Sequence, residues 1–180
     1  MRVTIDNRDP WPHPWAKFLP EGWELVREKL ETGDVVLSAL PEGAVIERKT
    51  PSDMAGCIGA NRERFERELK RGRYVGKLIV VIEGTLADIC AASRGISHNA
   101  IRGTLAAWTL RYCSFVFCGS QREAADFSFR FLAAQVRDAE RMAKAISLPA
   151  VTLPPPGNEK ARGGHPGVKA SLPAGPRSND

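Results

Sequence analysis

Five consecutive residues, Leu78-Ile79-Val80-Val81-Ile82, carry no polar side chain, and four of them are β-branched. A strand sends alternate side chains to opposite faces, so an unbroken apolar run is stable only where both faces are covered. Helices on either side of a sheet provide that cover, which places the chain in the α/β class, with a mixed central sheet flanked by helices. The surrounding sequence agrees. Residues 2–5, 23–31 and 114–117 read as strands. Val35 to Leu37 and Ala44 to Lys49 flank the turn residues Pro41-Glu42-Gly43, so 35–49 reads as a hairpin. Thr50-Pro51-Ser52-Asp53 opens a helix reaching about Arg71, with a break near Gly59. Ser97 caps a helix over 98–111, whose apolar stripe is Ile101, Leu105, Trp108 and Tyr112. Ser120 and Glu123 form a capping box for a helix to about Ile146. On that helix Phe127, Phe131 and Ala134 are the expected stripe, with Phe129 facing elsewhere. Asp9 to Pro20 holds four prolines and two tryptophans, so it is a loop or at most one helical turn.

One composition break divides the chain. Residues 148–180 contain seven prolines and five glycines and no apolar periodicity, so they read as a disordered tail after a domain spanning 1–147. The tail carries four cations against two anions. The whole chain is mildly basic, at +5, which permits contact with nucleic acid without requiring it. No apolar run is long enough to span a bilayer. The first residues carry Asp6, Arg8 and Asp9 and no apolar leader, so no export signal is expected. Four cysteines without a CxxC pair are then expected to be reduced thiols, and a structural zinc is not expected. The expected setting is the cytoplasm, with association to a nucleoid, or the nucleus in a eukaryotic host.

The charged residues around the hairpin are the ones able to do chemistry. Asp34 stands at the start of one strand. Glu47 and Lys49 occupy positions i and i+2 of its partner and share a face, while Arg48 points to the other. Two carboxylates and an ammonium thus converge, and Asp6 or Asp9, at the end of the first strand, can add another acid. Oxygen donors of this kind suit Mg²⁺, for which Mn²⁺ can substitute, and such an ion can polarise a phosphodiester. Lys49 can hold or deprotonate a water, or stabilise charge in the transition state. A loose D…ExK pattern also arises in surface ion pairs.

At these residues the sequence resembles the nuclease domain of the XPF family of structure-specific endonucleases, including the archaeal helicase-associated nuclease Hef. The family signature, GD then ERK then D, stands here as Gly33-Asp34, Glu47-Arg48-Lys49 and Asp53. The opening D-x-R-E is Asp6-Asn7-Arg8-Asp9, with Asp in place of Glu. The later strand and turn are Leu78 to Gly84, and the helix motif begins at Asn99. A Pro/Trp segment replaces the helix that follows D-x-R-E in the family, and Arg67 stands where Gln is usual. The resemblance covers about residues 3–145. It implies a restriction-endonuclease-like fold of the PD-(D/E)xK kind and metal-dependent cleavage of branched, flap or fork DNA in repair or recombination. It implies metal binding by Asp34 and Glu47 with help from Asp6 or Asp9, an essential Lys49, and a supporting Asp53. It further implies pairing of later helices in a homo- or heterodimer. The helix-hairpin-helix module and helicase found in many relatives are not present in these 180 residues.

Arg62, Arg64 and Arg67 follow the signature on a helix able to lie along DNA phosphates, and Arg8 and Arg48 are further candidates for DNA contact. The alternative for the helix is a solvated face laced by Glu63–Arg67 and Glu66–Lys70 pairs. Trp11 and Trp15 read as lids over a core, with base stacking as the second reading. His13 beside them is weak evidence for a ligand or base. The other functional class is a non-catalytic DNA-binding or scaffold subunit. Retention of Asp34, Glu47 and Lys49 favours the enzyme.

Overall fold

The computed structural model describes residues 1–8, 14–37, 43–74 and 76–147. Asp9, Trp11, His13, the centre of the expected hairpin turn and the expected tail lie outside the described residues. One sheet contains β1 (Arg2–Asp6), β2 (Glu24–Glu28), β3 (Val35–Leu37), β4 (Ala44–Lys49), β5 (Lys77–Ile82) and β6 (Ser114–Phe117). Its order is β2-β1-β3-β4-β5-β6. β3 and β4 pair antiparallel with Val35 opposite Ile46, as a hairpin requires. β4, β5 and β6 run parallel, and so do β1 and β2. The helices are α1 (Pro51–Ile58), α2 (Arg62–Gly72), α3 (Leu86–Ala92), α4 (His98–Arg111) and α5 (Gln121–Ser147), and Pro14–Lys17 is a 3-10 turn. Among the described residues, no helix is long and apolar enough to cross a membrane.

The alternation of β4 and β5 builds two cores. Val45, Leu78, Val80 and Ile82 face one side, beneath Met54 and Ile58 of α1, Phe65 and Leu69 of α2, and Ile101, Leu105 and Trp108 of α4. Ile46, Ile79 and Val81 face the other side with Val3 and Ile5, beneath α5. The run from Leu78 to Ile82 is therefore covered on both faces, as its sequence demands. Trp15 is fully buried and meets Phe129 edge-on at 5.8 Å, so it belongs to the core.

Three expectations are corrected. The stripe of α5 is Ala125, Phe129, Leu132 and Val136, at helical spacing, and Phe129 is its buried aromatic. Phe127 and Phe131 stack on each other at the margin of that core. The small residues Ala124, Ala125 and Ser128 let α5 approach the sheet, and the buried Ser128 hydroxyl donates to the Ala124 carbonyl at 2.7 Å. β2 is shorter than the pattern over 23–31 suggested. α3 was not expected: seven residues long, it opens on a reciprocal capping box between Thr85 and Asp88.

The expected break near Gly59 separates α1 from α2. Thr50 caps α1 by accepting the Asp53 N–H at 3.1 Å, and Pro51 supplies a helical first-turn φ. This cap turns the chain sharply after Lys49, so α1 and α2 pack on the face of β4 that carries Val45, Glu47 and Lys49.

Candidate active site

Val45, Glu47 and Lys49 form one row on β4. Val45 is in the core, Glu47 is buried at its edge, and Lys49 is half-buried where the sheet ends. Asp34 reaches the same place from the start of β3. Its position depends on Gly33, whose φ is +80°, and a Cβ there would lie 2.3 Å from Val45 Cγ1. Only glycine takes that backbone and that approach together. The Asp34 N–H then donates to the Ile46 carbonyl, its carbonyl accepts from the Asp6 N–H, and its Oδ2 accepts the Arg48 N–H at 2.7 Å. Three strand ends are thereby locked around one carboxylate.

These residues line a cleft of about 580 Å³. It holds Asp6, Arg8, Asp34, Glu47, Arg48, Lys49, Asp53, Arg64 and Arg67 from the sequence reading, and also Glu68 and Arg71. Arg62 does not line it. The Lys49 ammonium is ion-paired with Glu47 and lies 5.3 Å from the centre of the Phe65 ring. Burial pushes the Glu47 carboxyl up to about 8, Asp34 adds to the rise, and Lys49 acts against it. Burial works against the charge of Lys49, but Glu47, Asp34 and Glu68 outweigh it and raise Lys49 above the ordinary lysine value. Asp34 and Glu47 thus oppose each other's charge in the cleft. Oxygen donors and a solvent-connected cleft fit a hard divalent cation, which needs only one or two carboxylates besides its waters. Among the described residues, no group of three or more metal-ligating side chains forms.

The other candidates hold more local positions. Arg8 engages both oxygens of the buried Asp6 carboxylate and donates to the Leu30 carbonyl at 2.6 Å. This guanidinium holds Asp6 below the usual carboxylate range. The Arg48 side chain leaves the row of Glu47 and Lys49 and meets Glu83 at 3.0 Å, both nearly buried. Asp53 accepts the Thr50 hydroxyl at 2.7 Å. Arg62 pairs with Glu66 at 3.2 Å, donates to Thr104 at 3.0 Å and lies 5.2 Å from the Trp108 ring centre, so it knits α2 to α4. The Glu63–Arg67 and Glu66–Lys70 pairs do not form among the described residues; Glu66 instead serves Arg62 and the Trp108 indole N–H. Arg64 and Arg67 are exposed and make no ion pair among the described residues.

The sequence reading counted Glu68 and Arg71 only among the charges of the 62–73 segment, without placing them in the cleft, and did not single out Glu83. The first two carried a signal. Arg64, Arg67, Glu68 and Arg71 stand at i, i+3, i+4 and i+7, opposite the buried Phe65, Leu69 and Gly72, so they share one helix face. Glu83 lay within the strand-and-turn motif, but nothing signalled its pairing with Arg48, which is distant in sequence.

A mixed sheet with an acid-and-lysine cleft at its strand ends defines a class of nuclease-fold domains. The chain belongs to the ERCC4 domain family, whose model matches residues 5–131. Its fold is that of the XPF nuclease. XPF from Aeropyrum pernix superposes with a TM-score of 0.61 at 21% identity, covering 76% of this chain and 61% of that one. This chain therefore spans about three-fifths of that relative's length. XPF from Aeropyrum pernix in complex with DNA gives a TM-score of 0.58 at 21% identity, covering 83% of this chain and 68% of that one. No curated protein sequence matches the chain.

Proposed function

We propose that the chain is a divalent-metal-dependent endodeoxyribonuclease that hydrolyses phosphodiester bonds in branched, flap or fork DNA during repair or recombination. The observation that carries this reading is the convergence of Asp34, Glu47 and Lys49 in one cleft at the strand ends. Family membership supports it. Asp34 and Glu47 would hold Mg²⁺ or Mn²⁺. A bound ion of this kind supplies Lewis-acid polarisation of the scissile phosphate. Lys49, kept cationic by its acidic neighbours, donates to the phosphate oxygens as negative charge builds. Asp53 fixes the start of α1 behind Lys49. Arg64, Arg67 and Arg71, which make no ion pair among the described residues, present guanidinium groups to the DNA backbone along one face of α2. Pairing as a homo- or heterodimer through the later helices accords with the exposed Leu110, Met142 and Ile146.

The test is cleavage of labelled flap, fork, duplex and single-stranded DNA with Mg²⁺, Mn²⁺ or EDTA, beside an Asp34→Asn, Lys49→Ala double variant. Metal-dependent cutting of branched DNA that the variant lacks is the expected result. A folded protein that binds branched DNA and cuts nothing in either metal would make it a scaffold subunit.

A further inference from the structure

A concentration of positive charge lies outside the cleft, where α2 turns into β5. Residues 70–77 hold Lys70, Arg71, Arg73 and Lys77 and no acid, so eight residues carry four of the chain's five net positive charges. All four side chains are exposed, and none makes an ion pair among the described residues. Exposed cations alone need no explanation. Tyr74 stands among them and is 90% exposed, so its ring serves no part of either core. Tyrosine left at a surface among unpaired cations is the composition of a binding face rather than of a packed one.

The local backbone joins this patch to the cleft. Arg73 keeps helical dihedrals and the Tyr74 N–H donates to the Arg71 carbonyl at 3.0 Å, so the turn of α2 continues to Tyr74. Arg67, Arg71 and Tyr74 then follow at i, i+4 and i+7, away from the buried Phe65, Leu69 and Gly72. Arg67 and Arg71 line the cleft, and the patch carries their row past its edge. The sheet register sets the scale. Lys49 lies opposite Ile82 and Ala44 opposite Lys77. Five steps of strand, about 17 Å along the sheet, therefore separate the levels of Lys77 and Lys49.

We propose that residues 70–77 form a second DNA-contact surface, which grips backbone phosphates of a duplex arm about five base pairs from the phosphate in the cleft. The proposal rests on the nuclease reading and adds to it a binding site outside the cleft. DNA is the occupant that the placement favours, because one polyanion lying along α2 meets the cleft arginines and the patch together. Lys70, Arg73 and Lys77 pair with phosphates, and Tyr74 packs against sugar and donates its hydroxyl to a phosphate. Contacts of this kind carry no sequence information and fix the arm in position.

The experiment measures binding of a fluorescent flap DNA with long duplex arms to the full chain, in EDTA, over a range of salt. An Arg73→Ser, Lys77→Ser double variant should lower the slope of log affinity against log salt by about 2, at roughly 0.9 per phosphate contact. Tyr74→Ala should weaken binding by up to about tenfold, the scale of one hydrogen bond, and leave the slope as it was. Both losses should vanish when the arms are cut back below about five base pairs, because the DNA then ends short of the patch. The substituted side chains are exposed, so the variants should fold. If melts show that the double variant does not, Lys70→Ser replaces it and should lower the slope by about 1. An unchanged slope, or an equal loss on long and short arms, overturns the proposal. Binding to poly-glutamate that the double variant loses, with the DNA slope intact, would assign the patch to an acidic protein and also overturn it. If no DNA is cut in Mg²⁺, the nuclease reading fails separately, and the binding measurement still decides the patch.

Discussion

Adjacent residues of β4 send their charges to opposite sides of one sheet, and the two sides treat them differently. On the side of α5, Arg48 meets Glu83 in an ion pair with exposures of 10% and 5%. On the side of α1 and α2, Lys49 feels Glu47, Asp34 and Glu68, one ammonium among three carboxylates. The arginines of α2 stand farther out, on the exposed part of the cleft. The first arrangement is closed: its charges cancel where water is scarce, and it joins the end of β4 to the turn after β5. The second keeps an excess of acid at a solvent-connected cleft, where a cation can relieve it. One tripeptide thus holds a structural charge and a chemical pair, separated only by strand alternation.

Breaking the closed side should have the largest effect. Arg48→Ala or Glu83→Ala breaks this buried ion pair from one side and should lower stability by about 3–5 kcal/mol, read by urea unfolding. Replacing both by Met and Leu should cost less than either single change. An Arg48→Ala protein of full stability but weak DNA binding would place Arg48 on phosphate instead. The open side should respond in the opposite way. Lys49→Ala should keep the fold, because Glu47 can stay neutral by keeping its proton, yet lose about 10²–10³-fold in cleavage rate. Circular dichroism melts run beside the cleavage assay separate the two outcomes.

Much of this contrast was legible in the sequence, because strand periodicity alone puts Glu47 and Lys49 on one face and Arg48 on the other. The unbroken apolar run likewise required helices on both sides. What was not legible depended on contacts between distant segments. Glu83 is invisible as a partner until β4 and β5 pair in parallel, Lys49 beside Ile82. Arg62 looked like its neighbours Arg64 and Arg67 until α4 arrived beside it with Thr104 and Trp108. The phase of α5 misled because aromatic residues drew attention, whereas small residues set how closely the helix lies on the sheet. α3 did carry a readable start in Thr85 and Asp88, but seven residues give too few turns for periodicity to register.

The open side also predicts a pH signature. With no cation bound, Glu47 titrates near 8 in the folded chain against an ordinary 4.5. Between those values the folded state holds a proton that the unfolded state has released, so stability should fall as pH rises. Glu47→Gln should remove that slope in pH-dependent melts. Cation binding needs the carboxylate, so affinity for Mn²⁺ should weaken up to about tenfold for each pH unit below 8 and level off above it. Calorimetry in buffers of different ionisation enthalpy should find about one proton released per ion at pH 7. A pH-independent affinity would remove Glu47 from the ion's ligands.

The smallest effect lies where the two sides meet, at the turn from β4 into α1. Thr50 and Asp53 bond to each other in both directions, hydroxyl to carboxylate and backbone N–H to hydroxyl. Asp53 also lines the cleft, so it could serve the helix, the reaction or both. A cap of this kind contributes about 1 kcal/mol. Thr50→Ala should therefore lower stability by about that amount in urea unfolding. It should slow cleavage less than about tenfold, because Lys49 is fixed by Glu47 and by the sheet rather than by the cap. Asp53→Asn removes the charge and retains a side chain able to cap. If it matches Thr50→Ala in both readouts, Asp53 belongs to the helix. If it keeps full stability yet cuts as poorly as Lys49→Ala, its carboxylate belongs with the acids on the open side of β4.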